Sequence, residues 1–350
     1  NHTMTSPVRF AVLGCGRIGS MHAEMLARRV PGAAVTTVFD VYEDAANGVA
    51  ERLGCAVSSS LADAVNSPDV DAVAVCTSTD THVEAMIAAA EAGKAVFCEK
   101  PISLSVGEVD RALAAVSAAG VALQIGFNRR YDPSHKAVAD AVKHGAVGDV
   151  ELVSIISRDP GPPPIEYVKV SGGMFNDMTI HDFDMARYVT SSEVVEVYAA
   201  GAVRVDSAIG EAGDIDTAKV LLTHADGTLT TIDNSRRAAY GYDQRVEVHG
   251  SAGMASSTNH HDFNATIATD GGYRQPPLQN FFLERYSRSY LDQWDAFVAF
   301  VAAHAQDPAT TSPASGADGR APLVIGMAAL RSMQERRPVT IAEIEQEATS

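Results

Sequence analysis

The sequence predicts an α/β protein in which a doubly wound parallel sheet is followed by an α+β domain with an open, mostly antiparallel sheet. A chain of 350 residues exceeds the size that one hydrophobic core usually supports, so two domains are expected. The first third alternates short apolar runs with helical stretches, a pattern typical of parallel strands joined by helices. From about residue 148 strand follows strand, which indicates antiparallel pairing. We therefore expect domains over 5–128 and 129–345, with the C-terminal helices free to pack back on the first.

Periodicity gives the elements of each domain. In the first domain, buried strands are predicted at 8–13, 34–39, 72–76, 95–98 and 122–126. Helices are predicted between them at 18–29, 42–53, 81–92 and 106–119. In the second domain, strands are predicted at 150–157, 194–205, 217–224, 228–234 and 244–250, with irregular stretches at 159–164 and 262–277. Helices near 288–304 and 317–334 close the chain.

Composition limits the partners of the chain. A formal net charge of −17 without any basic cluster argues against nucleic acid or an anionic membrane as a partner. No apolar run approaches the roughly 20 residues that cross a bilayer. The four cysteines show neither a CxxC pair nor metal-ligand spacing, so we expect buried thiols in a cytoplasmic protein. An open sheet leaves one face to be covered, which favours a homo-oligomer.

A glycine-rich turn follows the first predicted strand and opens the first helix, with Gly14, Gly16 and Gly19 in the sequence GCGRIG. In that context Gly14 permits a tight turn, and Gly16 lets a pyrophosphate approach the backbone. Gly19 lets the helix pack closely on the strand. The turn therefore predicts a dinucleotide-binding βαβ unit.

Arg17 and Ile18 lie where this turn opens the first helix. A helix N-terminus offers free N–H groups to phosphates, so both residues are predicted to bind the cofactor. Asp40 follows the second strand, 21 residues after Gly19. A carboxylate at that place accepts hydrogen bonds from the adenosine ribose and repels a 2′-phosphate. The sequence therefore predicts NAD in preference to NADP.

A polar loop follows the strand at 72–76, at the sheet edge where such domains bind their ligand. Its residues Thr77, Ser78 and His82 are predicted to contact the ribose or the nicotinamide. The alternative is that this loop only caps the next helix.

A second loop, Glu99-Lys100-Pro101, follows the strand at 95–98. A lysine at the end of a buried strand, followed by a proline that restricts the backbone, is poorly explained as a solvated charge. Its ammonium group would hold a substrate hydroxyl and favour the alkoxide as the proton leaves. Glu99 and Lys100 are therefore predicted to bind the cofactor, and Lys100 is also predicted to bind the substrate.

The segment 171–188 predicts a helix with a ribbon of polar side chains beside an apolar face. At about 100° per residue, one narrow stripe contains Asp177, His181, Asp184 and Tyr188. Asp177 lies four residues before His181 and would orient its imidazole, which has a reference pKa of about 6.5 and accepts a proton near neutral pH. The sequence therefore predicts a general base at His181.

Three alternatives compete for this helix. The first is a buried His–Asp pair without chemistry, and the second is a stripe exposed to solvent. The third is a metal site built from His181, Asp182 and Asp184, although no further ligand cluster supports it and these side chains do not share one face. We expect no metal.

These motifs together resemble the glucose–fructose oxidoreductase/inositol dehydrogenase/MocA family. The resemblance rests on the glycine turn, Asp40, the Glu99-Lys100-Pro101 loop, and the segments 126–133 and 172–188. The segments 172–188, 240–250 and 281–286 are especially similar to inositol 2-dehydrogenases, and the likeness spans the chain from Met4. It implies a Rossmann domain, a C-terminal domain with an open sheet, and oligomers, often tetramers, formed through that sheet.

The resemblance also implies oxidation of a ring secondary alcohol by NAD without a metal, most simply of myo-inositol, a small neutral polyol, to 2-keto-myo-inositol. Position by position, Lys100, Asp177 and His181 match the catalytic residues of the family. The residues that match its polyol contacts are Arg130, Asp184 and Tyr240, with Tyr286 as a weaker match. The stretch 157–169 departs from the family because it does not clearly present the expected substrate-facing residue. A dehydrogenase of another inositol isomer or of a pyranose, and a non-catalytic NAD-binding regulator, remain alternatives.

Overall fold

The computed structural model describes residues 6–348, and the chain divides into two compact units. The first comprises the chain up to Phe127 together with Tyr290–Arg320, and the second comprises Asn128–Ser289 and the chain from Ala321 onward. The predicted start of the first domain, residue 5, lies outside the described residues. The segment Tyr290–Arg320, which the predicted boundaries assign to the second domain, belongs to the first unit because its aromatic residues complete the core of that unit.

The first unit contains a parallel sheet in the order β3-β2-β1-β4-β5-β6. Its strands are β1 (Val8–Leu13), β2 (Ala33–Phe39), β3 (Ala56–Val57), β4 (Ala72–Val75), β5 (Ala95–Cys98) and β6 (Leu123–Ile125). Its helices are α1 (Arg17–Arg28), α2 (Glu43–Leu53), α3 (Leu61–Asn66), α4 (His82–Glu91) and α5 (Val106–Ala119), with a 3₁₀ turn at Thr79–Thr81 before α4. This strand order is that of a dinucleotide-binding sheet, and it brings the carboxyl ends of β2, β1, β4 and β5 to one edge.

The predicted strands and helices of this unit are confirmed to within one or two residues at each end. The structure adds β3 and α3, which the sequence pattern did not predict. β3 has two residues and α3 has six, so neither is long enough to show a periodic apolar face. Ser60 is the N-cap of α3 and accepts a hydrogen bond from the backbone N–H of Asp63, which gives the short helix a defined start.

An aromatic cluster forms the centre of the first unit. Phe10 of β1 and Phe97 of β5 pack on Trp294, with ring centroids 5.6 and 4.2 Å from it, and Phe297 lies 5.8 Å from the same indole ring. Phe10, Phe97, Trp294 and Phe297 are all completely buried. Aromatic burial of this size contributes strongly to the stability of a core.

The second unit contains a mostly antiparallel sheet in the order β12-β11-β7-β10-β9-β8-β15, in which β7 and β10 form the parallel pair. Its strands are β7 (Val150–Arg158), β8 (Val194–Ala202), β9 (Thr217–His224), β10 (Leu229–Ser235), β11 (Asp243–Gly250), β12 (Gly253–Ser257) and β15 (Val339–Thr340). A separate hairpin is formed by β13 (Ile267–Thr269) and β14 (Gly272–Arg274). The open, mostly antiparallel sheet is confirmed.

Helices lie before, between and after these strands. They are α6 (Pro133–Lys143), α7 (Ile165–Val168), α8 (Ile180–Thr190), α9 (Ser207–Glu211), α10 (Phe282–Arg285), α11 (Ser287–Gln306), α12 (Gly316–Glu335) and α13 (Ile341–Ala348), with a 3₁₀ turn at Asn128–Tyr131 and a π-helical turn at Phe175–Thr179. Of these, α11 belongs to the first unit from Tyr290 onward, and α12 belongs to the second unit from Ala321 onward. The stretch 262–277 was predicted to be irregular and in fact contains the hairpin, whose three-residue strands are fully exposed and so show no apolar alternation. The segment 171–188 was predicted as one regular α-helix, whereas the structure has the π turn before α8.

One face of the second sheet is covered by a helix, and the other face exposes apolar side chains. Helix α8 packs against one face of the sheet. The predicted apolar arc runs from the residue before the π turn into α8, and its members are all buried: Met174, Phe175, Met178, Met185 and Val189. On the other face, Leu152 of β7 lies beside Leu229 of β10, and Leu221 of β9 lies beside Tyr198 of β8. Each of these four residues is more than a third exposed, so the outer face carries two exposed apolar pairs, one on β7 and β10 and one on β9 and β8.

The glycine turn joins β1 to α1 by close backbone packing. Gly14 has φ +92°, and a Cβ there would lie 2.4 Å from the carbonyl oxygen of Cys76. A Cβ on Gly19 would lie 1.8 Å from the carbonyl oxygen of Gly14. Both positions therefore require glycine, one for the turn and the other for the approach of helix to strand, as the sequence predicts. In contrast, no heavy atom lies within 4 Å of the Cβ position of Gly16.

These distances predict that alanine at Gly19 destabilises the protein and that alanine at Gly16 does not. Gly19→Ala should lower the free energy of unfolding by about 1–3 kcal/mol, because a backbone oxygen must move to admit the methyl group. Gly16→Ala should change it by less than about 0.5 kcal/mol, since its methyl group meets open space. Urea denaturation followed by circular dichroism measures both. Equal stability of the two variants would contradict the assigned packing.

Candidate active site

The glycine turn presents backbone N–H groups at one end of α1. Gly16 is the N-cap of this helix and makes no side-chain cap hydrogen bond, and Arg17 and Ile18 form the first turn. Gly16 and Arg17 are exposed, and Ile18 is half-buried. An uncapped helix N-terminus beside open space at Gly16 suits a pyrophosphate group. These features fit the predicted NAD.

Asp40 is held next to this turn. One of its carboxylate oxygens accepts a hydrogen bond from the backbone N–H of Cys15 at 2.7 Å, and the other accepts one from the backbone N–H of Tyr42 at 2.8 Å. The carboxylate thus lies where β2 ends, beside the turn that follows β1. This is the neighbourhood that the sequence spacing predicts for the residue that reads the ribose.

The loop after β4 contains Thr77, Ser78 and His82. The hydroxyl of Thr77 accepts a hydrogen bond from that of Thr81 at 2.7 Å, and Ser78 precedes the 3₁₀ turn without capping it. A Cβ on Gly14 would lie 2.8 Å from the backbone nitrogen of Thr77, so this loop is in contact with the glycine turn. The helix-cap alternative finds no support, since the N-cap of α4, Thr81, makes no side-chain cap hydrogen bond.

His82, the first residue of α4, lies between two backbone carbonyl groups. Its side chain is buried, with Nδ1 2.7 Å from the carbonyl oxygen of Pro101 and Nε2 3.0 Å from that of Thr77. Burial lowers the pKa of His82, although both carbonyl groups oppose the shift. The imidazole therefore ties the loop after β4 to the loop after β5, and its contact with the cofactor stays a prediction.

A hydrogen-bonded chain holds Glu99, the residue before Lys100. Trp294 Nε1–H donates to Nδ1 of His22 at 2.9 Å, which leaves Nε2–H of His22 to donate to Glu99 at 2.6 Å. The other oxygen of Glu99 accepts a hydrogen bond from the backbone N–H of Lys100 at 3.3 Å. A Cβ on Gly126 would lie 2.9 Å from that oxygen, so glycine leaves room for the carboxylate.

Both carboxylate oxygens of Glu99 thus have partners within the protein, and the carboxylate serves the loop that carries Lys100. The sequence analysis did not predict His22. It lies three residues after Gly19 and four before the buried Leu26, so it occupies the buried face of α1. A histidine on the buried face of that helix was the available signal. Its hydrogen-bond partners, Glu99 after β5 and Trp294 in α11, are distant in sequence.

In the second unit, the predicted polar stripe divides into two parts. Asp177 lies in the π-helical turn at Phe175–Thr179, whereas His181, Asp184 and Tyr188 lie on α8. Single π-helical turns inserted in helices are frequent at functional sites. Gly172 and Gly173 precede the turn with φ of +84° and +88°, so the segment enters the helix through left-handed backbone.

Two arginines bind the aspartates of α8. Arg130 forms a bidentate ion pair with Asp184, with nitrogen–oxygen distances of 2.8 and 2.6 Å, and its guanidinium lies 5.2 Å from the ring of Tyr188. Arg129 lies 3.5 Å from Asp182, which also accepts a hydrogen bond from the hydroxyl of Ser157 at 2.6 Å. Burial raises the pKa of Asp182, and Arg129 opposes the shift.

The predicted substrate contacts Arg130 and Asp184 are therefore brought together, as one buried ion pair. The metal alternative for His181, Asp182 and Asp184 is not supported, because both carboxylates are engaged by guanidinium groups. Within residues 6–348 no group of three or more His, Cys, Asp and Glu side chains is arranged to hold a metal ion. Over the same residues, no helix combines the length and apolar character needed to cross a bilayer.

Asp177 has partners that the sequence analysis did not predict. The hydroxyl of Tyr167 donates to one of its oxygens at 2.6 Å, and the guanidinium of Arg236 donates to the other at 2.8 Å. Arg236 also donates to Asp159 at 3.1 Å. Asp159 and Tyr167 lie in or beside the stretch 157–169 that departs from the family pattern.

The two predicted tyrosines are placed differently from each other. Tyr240 is 52% exposed, and its hydroxyl donates to Asp243 while it accepts a hydrogen bond from Arg158 at 2.9 Å. It is therefore accessible to a ligand. Tyr286 is only 1% exposed, and its hydroxyl lies within hydrogen-bond distance of His135 and Gln244. The structure gives Tyr286 a packing role, so we do not retain it among the proposed substrate contacts.

Comparisons with known proteins agree with this geometry. Residues 8–127 match the oxidoreductase family with an NAD-binding Rossmann fold, and residues 135–256 match the GFO/IDH/MocA C-terminal domain. The chain is 46% identical to the inositol 2-dehydrogenase of Rhizobium meliloti over 336 residues, which cover 96% of this chain and 99% of that protein. It is also 46% identical to the myo-inositol 2-dehydrogenase of Thermotoga maritima over 340 residues, with the same coverage.

Solved structures give the same result. A probable dehydrogenase from Thermotoga maritima superposes with a TM-score of 0.93 at 45% identity, covering 96% of this chain and 100% of that one. The scyllo-inositol dehydrogenase of Lactobacillus casei, solved with NAD(H) and scyllo-inositol, superposes with a TM-score of 0.88 at 27% identity, over 96% and 100% of the two chains. The chain therefore belongs to the GFO/IDH/MocA family of oxidoreductases, and it is an NAD-dependent dehydrogenase.

Proposed function

We propose that this chain oxidises the C2 hydroxyl of myo-inositol to a ketone, giving 2-keto-myo-inositol. The observation that carries the proposal is the joint presence of Lys100 after β5, Asp177 in the π-helical turn and His181 at the start of α8. The chain that carries them is 46% identical to inositol 2-dehydrogenases over nearly its whole length. A regulator that only binds NAD would have no need of these three residues together. Such a reaction suits inositol catabolism.

The side chains divide the work in the following way. His181 accepts the proton of the substrate hydroxyl, and Asp177 stabilises the imidazolium that forms. Lys100 holds the same oxygen through its ammonium group and stabilises the negative charge that develops there. Bound NAD supplies the acceptor for the hydride that leaves the carbinol carbon. Arg130, Asp184 and Tyr240 orient the remaining hydroxyl groups of the polyol.

The residues at the edge of the first sheet hold the cofactor. The N–H groups at the start of α1 bind the pyrophosphate, and Gly14, Gly16 and Gly19 shape the turn that admits it. Asp40 binds the adenosine ribose. The neighbouring loops also contact the cofactor, through Thr77 and Ser78 after β4 and through the backbone of Glu99 and Lys100 after β5. His82 holds those loops together.

The wild-type enzyme is expected to reduce NAD⁺ in the presence of myo-inositol, followed as absorbance at 340 nm. His181→Ala should lower kcat by about 100-fold or more, because the general base is lost, while NADH binding measured by fluorescence stays nearly unchanged. His144→Ala, at an exposed histidine at the end of α6, is the matched control. Full turnover by His181→Ala would contradict the assignment.

A panel of inositol isomers and pyranoses tests the substrate, and preference for a pyranose would replace the polyol proposal.

Asp40→Ala should lower kcat/KM with NAD by about tenfold, because a charged hydrogen-bond acceptor for the ribose is lost, and should improve relative use of NADP. The measurement is the ratio of kcat/KM for the two cofactors. Asp44→Ala, an exposed acidic residue in the first turn of α2, is the control. An unchanged NAD/NADP ratio in Asp40→Ala would show that another residue discriminates.

We infer further that the chain forms a homo-oligomer, a dimer or a tetramer, through the outer face of the second sheet, and that it works in the cytoplasm. The two exposed apolar pairs Leu152–Leu229 and Leu221–Tyr198 support the first inference, because large exposed apolar surfaces are uncommon on monomeric proteins. The buried thiols Cys15 and Cys98 are consistent with a reducing compartment and support the second.

Multi-angle light scattering should therefore give a dimeric or tetrameric mass for the wild type. The double variant Leu152→Asp/Leu221→Asp should shift the mass toward the monomer, because buried carboxylates at an interface are strongly unfavourable. Leu330→Asp, at a similarly exposed leucine on α12, should leave the mass unchanged. A monomeric wild type, or a double variant that keeps its oligomeric mass, would rule out this interface.

A further inference from the structure

The carboxylate of Asp177 is held from two sides by residues that neither the motifs nor the family resemblance assigned to the site. Tyr167, from the short helix α7, donates to one oxygen at 2.6 Å. Arg236, which directly follows β10, donates to the other at 2.8 Å. Each carboxylate oxygen therefore has a hydrogen-bond donor from a different element of the second unit.

Arg236 is itself fixed in place. Its side chain is 6% exposed, its guanidinium also donates to Asp159 at 3.1 Å, and its backbone N–H donates to the carbonyl oxygen of Asp216 at 2.9 Å. Burial lowers the pKa of Arg236, but the carboxylates of Asp177 and Asp159 more than offset this, so the pKa is raised. The group is a permanent cation between two carboxylates. Removal of one partner from such a buried pair is strongly unfavourable, so the geometry is well defined.

The backbone around Asp177 explains why outside donors are needed. The residue lies in a π-helical turn that follows Gly172 and Gly173, both in left-handed conformations that glycine adopts easily and also leaves easily. The side chain of Asp177 is only 12% exposed, so an ionised carboxylate there requires hydrogen-bond donors from neighbouring elements. Hydrogen bonds to both oxygens limit the rotation of the carboxylate.

We propose that Tyr167 and Arg236 are positioning residues that act on the reaction through Asp177. The inference rests on the proposed function, in which Asp177 stabilises the imidazolium of His181. It also gives the stretch 157–169 a role, since Tyr167 supplies a hydroxyl group to a catalytic carboxylate from a place where the family pattern led us to expect a residue facing the substrate.

Tyr167 offers a clean test because its ring is 48% exposed, so loss of the hydroxyl alone costs little packing. Tyr167→Phe should lower kcat by about tenfold, which is the effect expected for a hydrogen bond to a charged group, with KM for NAD unchanged. Tyr273→Phe removes the same hydroxyl group from the exposed hairpin strand β14 and should have no effect. Thermal melting curves verify that each variant is folded.

The decisive experiment combines the substitution with Asp177→Asn. If Tyr167 acts through Asp177, adding Tyr167→Phe to Asp177→Asn should change kcat by less than about twofold. An undiminished tenfold effect in that background, or no effect of Tyr167→Phe in the wild type, would overturn the inference. Normal turnover by Asp177→Asn alone would instead contradict the proposed function, so the two failures are distinguishable.

The role of the positive charge on Arg236 is tested by two substitutions, one that keeps the charge and one that removes it. Arg236→Lys keeps the positive charge between Asp177 and Asp159 and should retain more of kcat than Arg236→Gln, whose side chain is neutral. KM for NAD should be the same in both variants. Equal loss of kcat in folded Arg236→Lys and Arg236→Gln would show that the charge on Arg236 does not matter to Asp177, and would overturn its role.

Discussion

The second unit is organised by the need to neutralise carboxylates that lie close to a hydrophobic core. Asp177, Asp182 and Asp184 fall within one helical segment that packs on the sheet, and an ionised carboxylate is strongly disfavoured there unless it is paired. Arg236, Arg129 and Arg130 provide one guanidinium for each. Since these arginines follow a strand or lie in the turn before α6, the pairing joins the helix layer to the sheet and leaves His181 on a rigid support.

The fold was largely predictable because its main elements are long enough to show a period. Buried parallel strands such as β1 and β4 appear as continuous apolar runs, and β9 and β11 as alternating ones. The π turn before α8 could not be predicted, since one additional residue per turn leaves no mark in composition.

The residues of the candidate site were likewise predictable only where a local sequence pattern carries them. Asp40, Lys100 and His181 were predicted because local motifs carry them, and each follows its own strand or helix start. Their supporting partners were not, since these are distant in sequence: Trp294 and His22 are 272 positions apart, His22 and Glu99 are 77 apart, and Arg236 and Asp177 are 59 apart. Such pairs exist only once the tertiary structure brings their elements together. The contact of His82 with Pro101 was not predicted for the same reason, as Pro101 is 19 positions away in the chain.

The discontinuous first unit has a consequence for the order of events during translation. Trp294 packs on Phe10 and Phe97, and the carbonyl oxygen of Ala314 accepts the backbone N–H of Ile125 in the edge strand β6. A nascent chain that has reached Phe127 has all strands of the first sheet but lacks the indole at the centre of its core. The first unit is therefore completed only after Asn128–Ser289 of the second unit and then Tyr290–Arg320 have left the ribosome, and a fragment that ends at Phe127 is an incomplete domain.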